Sequence, residues 1–130
     1  RQTQNLPSKE KEELKCLKEK SKGFAQKKGK EGEKELAELI SEYGYLARRG
    51  IGTTSKHGEA DVVGLPGIHI ECKRVENLNI NYAMAQSIRD AEDNEFPVVF
   101  HRKNRKEWLA TMKADDFLQL FKELYPPETK

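Results

Sequence analysis

The sequence is poor in apolar residues, aromatic residues and cysteine. Apolar residues make up 35% of the chain and the mean hydropathy is -0.89, so no run approaches the roughly 18 to 20 apolar residues of a membrane-spanning helix. The two cysteines, Cys16 and Cys72, have no CxxC or Cys/His spacing that suits zinc. No signal-peptide pattern opens the chain either. These absences predict a cytoplasmic protein with free thiols, no membrane span and no zinc site.

Charge is abundant but unevenly distributed. The 130 residues include 24 Lys+Arg and 22 Asp+Glu, yet residues 1–32 hold 10 basic and 5 acidic side chains. The length suits one domain with its ends. We therefore predict a basic arm over residues 1–29, helical from Ser8 to Gly23, and a single domain over residues 30–130. Two glycines among the charges of residues 27–32 favour a loop at this boundary.

Hydrophobic periodicity predicts alternating strands and helices in the domain. A helix ending at Gly44 has its apolar residues at helical spacing, and a turn is predicted at residues 65–67. Strands are predicted at residues 45–49, 60–64, 68–73, 97–100 and 108–112. Further helices are predicted at residues 81–93 and 114–124, the last with an apolar face of Phe117, Leu118, Phe121 and Leu124. This order predicts an α/β fold with one sheet covered by helices on both sides.

One predicted strand carries charged side chains among apolar ones. Alternation along residues 68–73 places Glu71 and Lys73 on one face, which we expect to be open, together with His69. With Asp61 on the preceding strand, two carboxylates could hold Mg²⁺, completed by the Cys72 carbonyl and water. Lys73 would then stabilise a pentacoordinate phosphate or lower the pKa of an attacking water. The alternative is an exposed strand face with a cross-strand ion pair.

A third acid lies at the start of the first domain helix. Glu33 continues the apolar stripe of that helix through Leu36, Ala37 and Ile40, so we expect it to point at the sheet. A core-facing carboxylate needs a partner, and a metal ion or a lysine would serve. The alternative is a frayed first turn with Glu33 bent towards water.

Three runs carry a resemblance to a known family: Gly32-Glu33-Lys34-Glu35-Leu36, Gly58-Glu59-Ala60-Asp61-Val62-Val63 and Ile70-Glu71-Cys72-Lys73. Together they resemble the PD-(D/E)XK nuclease superfamily, in particular archaeal-type Holliday-junction resolvases and their phage-encoded relatives. The resemblance spans about residues 29–124, with Ala60 in place of the proline before the aspartate. It implies a restriction-endonuclease-like fold, with a central mixed β-sheet flanked by helices.

The resemblance also implies an activity and a site. The chain would be an endonuclease that hydrolyses DNA phosphodiesters with Mg²⁺, for which Mn²⁺ could substitute, in a prokaryotic or phage-infected host cell. Its catalytic residues would be Glu33, Asp61, Glu71 and Lys73. Its metal ligands would be Asp61, Glu71, the Cys72 backbone carbonyl and Glu33.

Polar and basic side chains elsewhere are candidate contacts to DNA, because Lys and Arg neutralise phosphates without reading sequence. The alternative for any one of them is a solvated charge or, for His57, a solvated loop histidine. Gln86 is placed by the resemblance on a helix facing the site. The predicted contacts are Arg48, Arg49, Thr54, Ser55, Lys56, His57, Gln86, Arg102, Lys103 and Arg105. We expect Phe96, Phe100 and Trp108 to be core residues rather than base-stacking surfaces.

The expected substrate is branched DNA such as a four-way junction. The alternatives are a phage nuclease that nicks or trims ordinary duplex and a non-catalytic nucleic-acid-binding module on a nuclease fold. Paired cuts in a symmetric junction need two sites, and the chain has one Asp/Glu/Lys set and no internal repeat. We therefore expect a homodimer, joined through the apolar face of the C-terminal helix or through the Trp108 hairpin.

Overall fold

The computed structural model describes residues 29–51 and 59–128 and contains an α/β domain with a five-stranded mixed sheet flanked by three helices. Helix α1 is described over residues 29–42. The elements that follow are β1 (Arg48–Arg49), β2 (Val62–Val63), β3 (Ile68–Arg74), α2 (Ile80–Asp90), β4 (Phe96–Arg102), β5 (Leu109–Met112) and α3 (Ala114–Leu124). The α/β class and the order of elements are confirmed.

The five strands lie in the sheet in chain order, from β1 to β5. Neighbouring pairs are antiparallel except β3 and β4, which are parallel, with Ile70 opposite Val98 and Lys73 opposite His101. A parallel pair needs a crossover, which α2 provides by packing on both of these strands. The carboxyl ends of β3 and β4 therefore lie together at one edge of the sheet.

The main apolar core lies between α1 and one face of the sheet. Leu36 from the helix and Val62 and Ile70 from the strands are fully buried there. Phe100 and Trp108 are partly buried and pack against the same cluster, which confirms that these two aromatic residues belong to the core. This packing presents the first turns of α1 to the strands that carry the candidate site.

The opposite face of β3 is also covered, which corrects the expectation of an open face. His69 and Glu71 are 4% and 8% exposed. Helix α2 packs on β3 and β4, buries its own Ala83 and Ser87, and donates a hydrogen bond from Ser87 Oγ to the Val98 carbonyl at 3.3 Å. The charged residues of β3 therefore lie under a helix rather than in solvent.

The predicted boundary loop is wrong for residues 29–32, which are helical. Gly32 is buried, and a Cβ atom there would lie 2.9 Å from the Cβ of Arg74. This glycine therefore permits close approach of helix and strand, rather than a turn. The predicted helix from Ser8 to Gly23 lies outside the described residues.

Strands β1 and β2 are shorter than the five residues predicted for each. Gly64, with φ at +139°, ends β2, and a Cβ atom there would lie 2.6 Å from the Ala47 Cα. At the other end, the Asp61 carboxylate accepts the Cys72 N–H bond at 2.9 Å and ends the regular pairing of β2 with β3. Strands β3 and β4 extend slightly beyond their predicted ranges, and β5 lies within its predicted range.

Helix α3 has the predicted bounds, but its apolar face is not buried in this chain. Phe117, Leu118, Phe121 and Leu124 are 54%, 59%, 48% and 71% exposed. The rings of Phe117 and Phe121 stack on each other, with centroids 6.2 Å apart. None of the helices in the described ranges is long and apolar enough to cross a membrane.

Candidate active site

Asp61 is held in place where β2 meets its two neighbours. Its backbone N–H donates to the Ile70 carbonyl at 3.1 Å, and its carbonyl accepts the Gly50 N–H at 2.9 Å. Its side chain turns towards β3, where Oδ2 accepts the Cys72 N–H. Backbone bonds on both sides thus fix the position of this carboxylate.

Glu71, on β3, lies beside Asp61 in surroundings that disfavour its ionised carboxylate. Burial raises the pKa of the Glu71 carboxyl to about 7, and the nearby Asp61 charge contributes to the rise. Lys73 Nζ lies 3.4 Å from Glu71 Oε2 and offsets part of this effect. Buried Glu71 and partly buried Asp61 therefore form a pair whose negative charge one lysine does not neutralise.

The Cys72 thiol lies within the field of all four residues predicted to be catalytic. Burial raises the pKa of this thiol, and the charges of Asp61, Glu33 and Glu71 raise it further, whereas Lys73 lowers it. The structure brings Asp61 and Lys73 next to Glu71, whereas the ion pair of Glu33 is with Arg49. The predicted use of the Cys72 carbonyl as a metal ligand stays a prediction.

Glu33 points at the sheet, as predicted, but its partner is an arginine. Glu33 Oε1 lies 3.0 Å from Arg49 Nε, and its side chain is 22% exposed. Residues 29–42 are continuously helical, so the alternative of a frayed turn is wrong. Sequence reasoning missed this pair because it assigned Arg49 to DNA.

The donor set suits a hard divalent cation held by few protein ligands. Within residues 29–51 and 59–128, no three His, Cys, Asp or Glu side chains are arranged to hold a metal ion together. Mg²⁺ is commonly bound through one or two carboxylates and keeps several waters. The nearby Asp61 charge contributes to the raised pKa of Glu71, and a bound cation would reduce the repulsion between these two carboxylates. Binding of Mg²⁺ or Mn²⁺ by Asp61, Glu71, the Cys72 carbonyl and Glu33 stays a prediction.

Three of the arginines predicted to contact DNA are engaged within the protein. Arg48 donates two hydrogen bonds to the Glu59 carboxylate, at 3.0 and 3.1 Å, and Arg49 pairs with Glu33 as above. Arg102 donates to Glu35. A guanidinium that is bound to a carboxylate is less available to a phosphate. These three residues are therefore better placed to hold the elements around the candidate site together than to bind DNA.

The other predicted contacts fall into two groups. Lys103 and Arg105 are exposed in the β4–β5 turn, where Arg105 has a φ of +60°, and Gln86 is half-buried on α2. Their contact with DNA stays a prediction. The predicted loop contacts Thr54, Ser55, Lys56 and His57 lie outside the described residues.

Sequence reasoning missed Glu35, which joins α1 to three strands or strand ends. Its carboxylate accepts from the Arg102 guanidinium and, at 3.0 Å, from Trp108 Nε1. Arg74 Nε lies 3.7 Å from its other oxygen. These partners are 39 to 73 residues away in the chain, and no local spacing could have indicated them. Glu35 fixes the position of α1, and hence of Glu33, relative to β3.

Comparison with known proteins adds no identification. No protein-family model matches the sequence, and no curated protein or solved structure is significantly similar to it.

Proposed function

We propose that this chain is a Mg²⁺-dependent endonuclease that hydrolyses phosphodiesters of branched DNA, with a restriction-endonuclease-like fold. The observation that carries the proposal is the pair formed by partly buried Asp61 and buried Glu71, with Lys73 Nζ 3.4 Å from Glu71. The resemblance of three sequence runs, which include these residues, to PD-(D/E)XK nucleases also supports it. The α/β class with a mixed sheet flanked by helices agrees with the fold that this resemblance implies.

In the proposed site, Asp61 and Glu71 hold the cation, and Cys72 contributes its carbonyl. The cation supplies Lewis-acid stabilisation of the phosphate and a more acidic water. Lys73 orients the attacking water and stabilises the negative charge that develops on the phosphate oxygens. Glu33, which is paired with Arg49, completes or hydrogen-bonds the metal shell from α1.

We also propose that the working unit is a homodimer in the cytoplasm of a prokaryotic or phage-infected cell. Two cuts in a symmetric junction need two sites, and a second copy provides the second one. The apolar face of α3 is the proposed contact, because its four large side chains are about half or more exposed. A contiguous apolar surface of this kind is typical of an interface rather than of a free surface.

A cleavage assay tests the proposed activity. Purified full-length protein is incubated with linear duplex, nicked duplex, single strands and four-way junctions, in Mg²⁺ and in EDTA. We expect cutting of the junction in Mg²⁺ alone, and its loss in Glu71→Gln and Lys73→Ala. Glu38→Gln and Lys122→Ala are matched controls, because both residues are exposed on helices away from the site, and they should cut like wild type.

The outcomes separate the alternatives. Equal cutting of plain duplex and junction would favour a nuclease that nicks or trims duplex. Binding of DNA with no cut ends in any metal would favour the non-catalytic module. Cutting by Glu71→Gln or Lys73→Ala at near the wild-type rate would refute the assignment of the site, because these side chains would then be dispensable for the cleavage.

A further inference from the structure

A cleft lies beside the candidate site, between the segment that leads into α2 and the β4–β5 hairpin. Its volume is about 830 Å³. His101 lines it, and His101 is the residue directly opposite Lys73 on the neighbouring strand. Adjacent strands are about 4.8 Å apart. The cleft therefore opens close to Lys73, at a distance of roughly the length of one nucleotide. It also lies at the carboxyl ends of two parallel strands, where α/β sheets commonly bind ligands.

The cleft combines apolar and basic surfaces. Leu78, Ile80 and Leu109 contribute apolar side chains to its lining. Lys103 and Lys106 line it as well, and neither makes a salt bridge within the described ranges. The lining thus offers an apolar surface for a flat ring and two ammonium groups for an anion.

The lining holds other charged groups besides the two lysines. Arg102 is bound to Glu35, and Glu76 accepts the Asn104 N–H at 2.9 Å. The Asn104 N–H does not neutralise Glu76, so Glu76 and Glu107 balance the charge of the two lysines, and contact with an anion depends on the ammonium groups themselves. Burial lowers the pKa of His101, whose Nε2 lies 2.8 Å from Thr111 Oγ1, so this ring is a neutral part of the wall.

We propose that this cleft binds one unpaired nucleotide of the DNA strand next to the scissile phosphate, with the base on Leu109 and its apolar neighbours and the phosphate on Lys103 and Lys106. The inference rests on the proposed function and narrows its substrate to DNA with an unstacked base at the cut. In a continuous duplex both faces of a base are covered by stacking, so the apolar lining could not be used. Aliphatic side chains that lie against the face of an unpaired base remove apolar area from water, which favours binding.

The test measures binding without cleavage. Full-length protein is titrated, in EDTA, into fluorescently labelled duplex and into the same duplex carrying one unpaired thymidine. Wild type should bind the second probe more tightly. Leu109→Ser should weaken binding to the unpaired probe on the order of tenfold and leave the continuous duplex unchanged. Leu46→Ser is the matched control, because Leu46 and Leu109 are both exposed leucines, 95% and 60%, and Leu46 lies outside the cleft.

The two lysines are tested against a lysine on α3. Lys103→Ala and Lys106→Ala should each weaken binding to the unpaired probe more than Lys122→Ala does. Each should also reduce the slope of log affinity against log salt by about 0.7. Equal losses on both probes would overturn the inference, since the lysines would then be part of a general electrostatic surface. Leu109→Ser behaving like Leu46→Ser would overturn it as well.

The failure of this inference is distinguishable from failure of the nuclease proposal. If wild type cuts DNA but shows no preference for the unpaired probe, the cleft assignment alone is refuted. If the cleft variants behave as expected and no substrate is cut in Mg²⁺, the nuclease proposal alone is refuted. Absence of any DNA binding refutes both.

Discussion

Replacing Glu71 by glutamine should stabilise the protein when no divalent cation is present. The pKa of Glu71 rises to about 7 in the folded state, from an ordinary value of 4.5. A carboxyl of this kind favours the folded state while it is protonated, so its contribution is fully present below pH 4.5 and is lost as the pH rises to 7. At roughly 1.4 kcal/mol for each pKa unit, ionisation at pH 8 costs about 3 kcal/mol. Glutamine has nearly the same shape and carries no charge.

The assay is urea unfolding in EDTA, followed by the fluorescence of Trp108, the single tryptophan. At pH 8 Glu71→Gln should exceed wild type in free energy of unfolding by about 2 to 3 kcal/mol, and at pH 5 by less than about 1 kcal/mol. Glu38→Gln, on the exposed side of α1, should differ little from wild type at either pH.

Mg²⁺ provides a second arm of the same experiment. Saturating Mg²⁺ should stabilise wild type at pH 8 and narrow its difference from Glu71→Gln, because a ligand that binds the folded state shifts the unfolding equilibrium. If Glu71→Gln is equal to or less stable than wild type at pH 8 in EDTA, the conclusion that the ionised Glu71 carboxylate destabilises the folded state is refuted. The electrostatic argument for a cation there would fall with it.

Three further predictions concern the rest of the chain. Glu35→Gln should lower the free energy of unfolding by about 1 to 3 kcal/mol and shift the emission of Trp108, because it removes a charged partner of Arg102 and of the indole N–H. Deleting residues 1–28 should flatten the salt dependence of duplex binding by about 0.9 for each phosphate that the arm neutralises, and an unchanged slope would assign the arm another role. Sedimentation should give a dimer for wild type and a monomer for Phe121→Asp, and a wild-type monomer that cuts both strands of a junction in one encounter would contradict the dimer.

The elements with strong periodicity could be predicted closely from sequence. Helix α3 has the predicted bounds, and β3 extends the predicted strand by one residue. Weakly periodic ends were less predictable. A glycine in a charged segment has the same local signature whether it forms a loop or, like Gly32, lets a helix approach Arg74. The difference depends on a contact 42 residues away in the chain.

The members of the candidate site could be predicted from sequence, but the residues that surround them could not. The two-residue alternation of a strand suffices to place Glu71 and Lys73 on one face. That α2 buries this face could not be predicted, because glutamate and lysine are ordinarily exposed. Long-range partners could not be predicted for a different reason. The pairing of Glu33 with Arg49 depends on how α1 lies across the sheet, and no local pattern encodes it.

The parallel pairing of β3 and β4 has a consequence for the order of folding. Asp61 and Glu71 belong to one antiparallel hairpin closed by a short turn, which can form within microseconds. The crossover through α2 must close a longer loop from Arg74 to Phe96, so β4 joins later. Glu71 therefore loses its water when α2 docks, after its neighbour is already in place. Folding should slow as the pH rises from 4.5 towards 7, because the carboxyl is then increasingly ionised before it is buried, and Glu71→Gln should remove that dependence on pH.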